Sequence, residues 1–158
     1  MKGNEAMNEK RKIAVGSDHA GFAYKEKIAE YLRSEGYEIY DAGCYKEESC
    51  HYPVYAHNLC ELITSGKCEC GILICGTGIG MSIAANKHPG IRAAAVSDEY
   101  STELTRQHND SNVLCFGARV VGYERAERLA EIFLNTKYMG GKHALRVAMF
   151  DEIETGKF

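Results

Sequence analysis

The sequence has no apolar run approaching the ~20 residues that a membrane-spanning helix needs. Its first stretch, Met1 to Lys12, is polar and charged where a signal peptide would carry an apolar middle. These two absences predict a cytoplasmic chain with no membrane partner. An excess of one charge is also lacking. The balance of 19 basic against 22 acidic side chains leaves a net charge of -3, and no basic run stands out, so nucleic acid is not expected as a partner. A phosphorylated small molecule remains compatible with that balance, because a phosphate needs a few local donors and not a basic domain.

The cysteines do not have the spacing of a metal site. There are seven, an odd number, which with a cytoplasmic setting argues against a disulfide framework. Cys68-Glu-Cys70 with Cys75 is the densest group, but zinc knuckles favour a two-residue gap and a second pair of ligands at matching spacing. No metal and no cofactor is expected. Cys44, Cys50, Cys60 and Cys115 read as small buried or half-buried hydrophobes. No internal repeat, low-complexity segment or interior linker interrupts the chain. Residues 12–158 are therefore expected to form one domain behind a disordered N-terminal extension, residues 1–11.

What is present is alternation. Lys12 to Gly16 is a short strand candidate, followed by Tyr24, Ile28 and Leu32 at a helical spacing with charges between them. Gly36 stops that helix. Tyr37 to Asp41 reads as a second strand. Proline is scarce, at two residues. Pro53 can open a helix from its first turn, with Tyr55, Leu59 and Ile63 along one face, and Pro89-Gly90 marks a turn. Gly71 to Cys75 is continuously apolar, as a strand covered on both faces should be. A small-residue helix to about Asn86, a strand over Ile91 to Val96, a helix over Glu99 to Gln107 and a strand over Asn112 to Phe116 follow. Helices over Tyr123 to Leu134 and Ala144 to Glu154 complete the chain. Five β-α units with short links predict an α/β fold, a parallel sheet with helices on both faces.

Ligands of such sheets bind beyond the carboxyl ends of the strands. That rule selects Ser17-Asp18-His19, Cys75-Gly-Thr-Gly-Ile-Gly80, Ser97-Asp98 and Gly117-Ala-Arg119, with Arg106-Gln-His-Asn-Asp110 just before the fifth strand. The glycine loop is the sharpest feature. It lets the backbone approach a ligand closely and enters a helix, whose free N–H groups attract an anion. Its Gly-x-Gly-x-Gly pattern after the third strand differs from the dinucleotide fingerprint. A thiol beside it, Cys75, is placed where a thiolate is favoured. Taken alone, each feature also has a plain reading: a tight turn, a buried cysteine, a solvated Asp18-His19 pair, a capping His108. Arg119, Lys142, His143 and Arg146 have the chemistry to gather on a phosphate.

These segments, together with Gly90-Ile-Arg-Ala93, Phe116 to Gly122 and Gly140-Gly-Lys-His143 with Arg146, resemble the ribose-5-phosphate isomerase B family, which also holds the galactose-6-phosphate isomerase subunits. The resemblance runs from about Lys12 to the C-terminus. It implies a three-layer Rossmann-like domain with a five-stranded parallel sheet, and a homodimer or tetramer with active sites between subunits. Carried over residue by residue, Cys75 moves the proton between C1 and C2. Thr77 and the loop residues Gly76, Gly78, Ile79 and Gly80 hold the enediolate oxygens, and His108 assists ring opening. Asp18, His19 and Asn109 contact the sugar, while Arg119, Lys142 and Arg146 lie around the substrate and its phosphate. Position 142 is often arginine in the family, and lysine here gives up a planar fork. The implied activity is interconversion of ribose 5-phosphate and ribulose 5-phosphate. The alternatives are an isomerase of a phosphorylated hexose such as allose or galactose 6-phosphate, or a non-catalytic sugar-phosphate sensor.

Overall fold

A computed structural model describes residues 9–158. The expected N-terminal extension falls mostly on residues 1–8, outside the described residues. At its end, Arg11 is held by a forked pair with Glu69 (2.6 Å) and by the Leu134 carbonyl (2.6 Å).

The chain alternates β1 (Lys12–Ser17), α1 (Phe22–Ser34), β2 (Glu38–Asp41), α2 (Tyr52–Thr64), β3 (Cys70–Cys75), α3 (Ile79–Ala85), β4 (Ala93–Ala95), α4 (Glu99–Asn109), β5 (Val113–Gly117), α5 (Tyr123–Asn135) and α6 (Lys142–Glu154). The strands form one sheet in the order β2-β1-β3-β5-β4, every pairing parallel. Successive side chains of a strand point to opposite faces, and the core divides accordingly. Ile13, Val15, Ile72, Ile74, Leu114 and Phe116 meet Ile28, Leu32, Leu129 and Phe133 of α1 and α5. Ala14, Leu73, Cys75, Val113 and Cys115 meet Leu59, Cys60, Met81 and Ala85 of α2 and α3. Each fully buried Leu or Ile of these layers contributes about 1.5–3 kcal/mol by leaving water. The helix α4 packs beside α5, and α6 packs on α4.

Three elements differ from the sequence reading by two residues or more at one end. The strand expected over Ile91 to Val96 is β4, three residues long, at the sheet edge. Side-chain amides displace the ladder there: Asn86 Oδ1 accepts the Ala93 N–H (2.8 Å), and Asn112 Oδ1 accepts the Arg92 N–H (2.8 Å). The helix α4 continues to Asn109 because its stop is not a glycine but Asp110, at φ 47°, whose N–H returns to the Thr105 carbonyl. Arg106 (2.9 Å) and Arg92 (3.3 Å) grip the Asp110 carboxylate and hold that end. The helix α6 starts two residues earlier than expected, at Lys142, directly after Gly140 and Gly141.

Candidate active site

Cys75 ends β3 at the middle of the sheet, and only 5% of it is exposed. Its sulfur is turned to the loop that follows: Sγ accepts the Gly78 N–H at 3.0 Å. Two glycines make that turn possible. Gly78 sits in the left-handed region at φ 80°, and a Cβ there would lie 2.7 Å from the Phe116 backbone. A Cβ on Gly117 would lie 2.5 Å from the Gly76 carbonyl oxygen. The loop after β5 is thereby laced to the loop after β3, with Ala118 N–H donating to the Cys75 carbonyl (2.8 Å) and Arg119 N–H to that of Gly76 (3.1 Å). The Arg119 guanidinium reaches over Gly76, 3.3 Å from where a Cβ would stand. Thr77 and Ile79 are exposed, and Thr77 Oγ1 accepts the Ile79 N–H at 3.3 Å. The N–H groups of Gly76 and Thr77 have no hydrogen-bond partner among the described residues.

Other thiols differ in setting. Burial pushes Cys60 and Cys70 up to about 12, and Cys115 well above its ordinary value. These are core thiols with no donor loop.

Asp18 and His19 follow the neighbouring strand β1. Asp18 is nearly buried, its Oδ1 accepting the N–H groups of Ala20 (2.9 Å) and Gly21 (3.1 Å), so it shapes the turn into α1. His19 Nδ1 accepts the Cys50 N–H at 3.3 Å. A neutral His19 therefore carries its proton on Nε2. Tyr52, which no motif singled out, covers the glycine loop from α2: a Cβ on Gly80 would lie 2.9 Å from its ring.

The remaining expected residues form a second cluster. His108 and Asn109 occupy the last turn of α4, and Lys142 and Arg146 share a face of the first turns of α6. Between them His143 is nearly buried, its ring stacked on His108 with centroids 4.1 Å apart and planes 8° from parallel. Burial pushes His143 down, and the facing charges of His108, Lys142 and Arg146 push the same way. The sequence placed His143 only among cations near a phosphate; its stack joins residues 35 positions apart and leaves no local signal.

Within one chain the two clusters do not meet. Cys75 pairs in register with Gly117, at the carboxyl end of β5. The helix α4 begins near the carboxyl end of β4 and runs back to the amino end of β5. Its 11 residues span about 16 Å, which carries His108 to the opposite edge of the sheet. Asp18, His19, Cys75 to Gly80 and Arg119 lie in one group, at the carboxyl ends of the strands; His108, Asn109, Lys142 and Arg146 lie in the other. Among the described residues, no three His, Cys, Asp or Glu side chains are grouped to hold a metal ion, and no helix is long and apolar enough to cross a membrane.

The model of the ribose/galactose isomerase family matches residues 13–150. Ribose-5-phosphate isomerase B of Escherichia coli is 48% identical over 144 residues, covering 91% of this chain and 97% of that protein. Galactose-6-phosphate isomerase subunit LacB of Clostridium acetobutylicum is 38% identical over 126 residues, covering 80% of this chain and 73% of that protein. The solved structure of Clostridium thermocellum ribose-5-phosphate isomerase B superposes with a TM-score of 0.91 at 46% identity, over 93% of this chain and 99% of that one.

Proposed function

The chain belongs to the ribose/galactose isomerase family, and we propose on that premise that it interconverts ribose 5-phosphate and ribulose 5-phosphate, with Cys75 as the base. The observation that carries the reading is the Cys75 sulfur under the Gly78 N–H, beside a glycine loop with open amides.

Aldose and ketose differ by one proton moved between adjacent carbons. Cys75 takes that proton from C2 and returns it to C1, and charge develops on the carbonyl oxygen in between. The N–H groups of Gly76 and Thr77, with the Thr77 hydroxyl, stabilise that oxygen; they are fixed before the reaction and need no rearrangement. Once the proton has moved on to carbon, the Gly78 N–H again stabilises the negative sulfur. Asp18 and His19 hold sugar hydroxyls, and Arg119 faces the same space.

The second half-site supplies what the first lacks. His108, aligned by the His143 stack, moves the proton that opens the sugar ring. Lys142 and Arg146 take the phosphate at the start of α6, and Asn109 adds a polar contact. Because the halves sit at opposite edges of one sheet, the site is completed by a second copy of the chain. Apolar surface supports this: on α6 only His143 is buried, while Leu145, Met149, Phe150 and Ile153 are exposed along one stripe. Ile79 and Ile83 add a second stripe on α3.

The test is a panel of aldose phosphates assayed for ketose formation by the purified protein and by Cys75→Ala. Turnover of ribose 5-phosphate that exceeds turnover of allose and galactose 6-phosphates, and is lost in the variant, is the expected result. A preference for a six-carbon substrate would move the chain to the hexose branch. Binding of every sugar phosphate without turnover would make it a sensor.

A further inference from the structure

At the amino edge of the sheet, opposite Cys75, three arginines surround a cavity of about 260 Å³. Arg11 precedes β1, Arg92 precedes β4 and Arg106 comes from α4, with Glu69 and Asp110 standing among them. A second cavity, of about 400 Å³, shares Arg11, Glu69 and Arg106 as walls and adds Lys137 and Tyr138. Four cations against two carboxylates leave two positive charges in excess, on a chain whose net charge is -3. Ion pairs do not use up the arginines. Arg106 Nη1 donates to the Asp110 carboxylate (2.9 Å) and the Ser111 carbonyl (2.6 Å). Arg92 donates from Nε to the Asp110 carbonyl (2.9 Å) and from Nη2 to its carboxylate (3.3 Å). Nε and Nη2 of Arg106 and Nη1 of Arg92 make no hydrogen bond among the described residues. The Arg106 guanidinium lies over the Phe133 ring, 5.5 Å from its centroid, which fixes the direction of these donors. Tyr138 gives an independent sign. Its hydroxyl is the one buried side-chain oxygen or nitrogen among the described residues that has no hydrogen-bond partner. Buried hydroxyls are nearly always paired, and a ligand group would complete this one.

We propose that these joined cavities bind a phosphate dianion, free or at the end of a small ester, with its oxygens on Arg106 and Arg92 and with Lys137 and the Tyr138 hydroxyl completing the site. Arginine forks present paired donors that fit phosphate oxygens. The two excess positive charges match the two negative charges of the ligand.

The site is separate from the catalytic one. Arg106 and Asp110 share a face of α4, while His108 stands about 200° round the helix from Arg106. Neither Lys142 nor Arg146 lines either cavity. The proposal therefore does not rest on the isomerase reading.

The experiment titrates inorganic phosphate into the full chain carrying Lys142→Gln and Arg146→Gln, which removes the phosphate contacts of the catalytic site. Heat and the arginine Nε–Hε resonances are followed. Expected are one phosphate per chain with a Kd below about 1 mM, shifts at Arg106 and Arg92, and binding about five-fold weaker when Lys137→Gln or Tyr138→Phe is added. Because the hydroxyl has no partner, Tyr138→Phe should not lower the thermal midpoint of the phosphate-free protein. Glycerol 3-phosphate is the second probe. Tighter binding than inorganic phosphate supports an ester as the ligand, and equal or weaker binding supports free phosphate. No saturation by about 10 mM phosphate, shifts confined to Arg119, or an affinity unchanged in both added variants would overturn the proposal. A lowered midpoint in phosphate-free Tyr138→Phe would overturn the use of that hydroxyl as a ligand group. None of these readouts needs turnover, so they decide the site even if the isomerase reading fails.

Discussion

Gly78 and Gly66 offer a controlled comparison. Both adopt the left-handed conformation, at φ 80° and 79°, yet a Cβ on Gly66 would meet nothing within 4 Å while one on Gly78 would meet the Phe116 backbone at 2.7 Å. Substitution by alanine costs each about 1–2 kcal/mol of backbone conformation. At position 78 the neighbour is main chain of a central strand and cannot step aside, which adds about 1–3 kcal/mol of overpacking. The difference between Gly78→Ala and Gly66→Ala isolates that contact. With a urea slope of about 2 kcal/mol/M, the midpoint of Gly78→Ala should lie about 0.5–1.5 M below that of Gly66→Ala. Both must be measured at one protomer concentration, because assembly adds to apparent stability. Gly66→Ala should keep full turnover. Gly78→Ala should lose it even where the protein stays folded, because relieving the overlap moves the amide that faces Cys75 Sγ. Equal midpoints, or a normally active Gly78→Ala, would refute the reasoning.

Two further predictions concern the second half-site. His108→Gln should slow ribose 5-phosphate turnover about 100-fold, the usual contribution of one proton-transfer group. It should slow an aldotetrose 4-phosphate, which cannot close a furanose ring, far less; a comparable loss on both would count against a ring-opening role. His143 is held below its ordinary value of 6.5. The unfolded chain therefore binds a proton that the folded chain refuses, so the contribution of His143 to stability is full above 6.5 and drains away as pH falls from there toward the lowered value. The thermal midpoint should drop between pH 7.5 and 5.5, and drop less in His143→Gln; parallel curves for the two proteins would show that this ring is not the titrating group.

Much of this was legible in the sequence, for physical reasons. The apolar run from Gly71 to Cys75 can only be a central strand, and three glycines after it can only be a close turn, so the loop and its cysteine were found directly. The edge strand was overestimated because Asn86 and Asn112 substitute side-chain amides for ladder bonds, which no propensity records. The end of α4 was placed too early because an aspartate, held left-handed by two arginines, does the work of a glycine. Spacing alone does not sort the site residues, which the resemblance puts between subunits; the backbone does sort them within the chain, because a helix that follows a parallel strand must return to the other edge of the sheet, and that puts His108 far from Cys75. The His108–His143 stack was out of reach, because it joins two helices far apart in sequence.

The central claim is that Cys75 and His108 act on one substrate from two different chains. Cys75→Ala and His108→Ala, each with ribose 5-phosphate activity largely lost on its own, can be unfolded together in equal amounts and refolded. If the site is shared, random pairing makes half of the dimers mixed, each with one intact site of two, and about a quarter of wild-type activity should return. Recovery no greater than the sum of the two variants refolded separately would contradict the shared site.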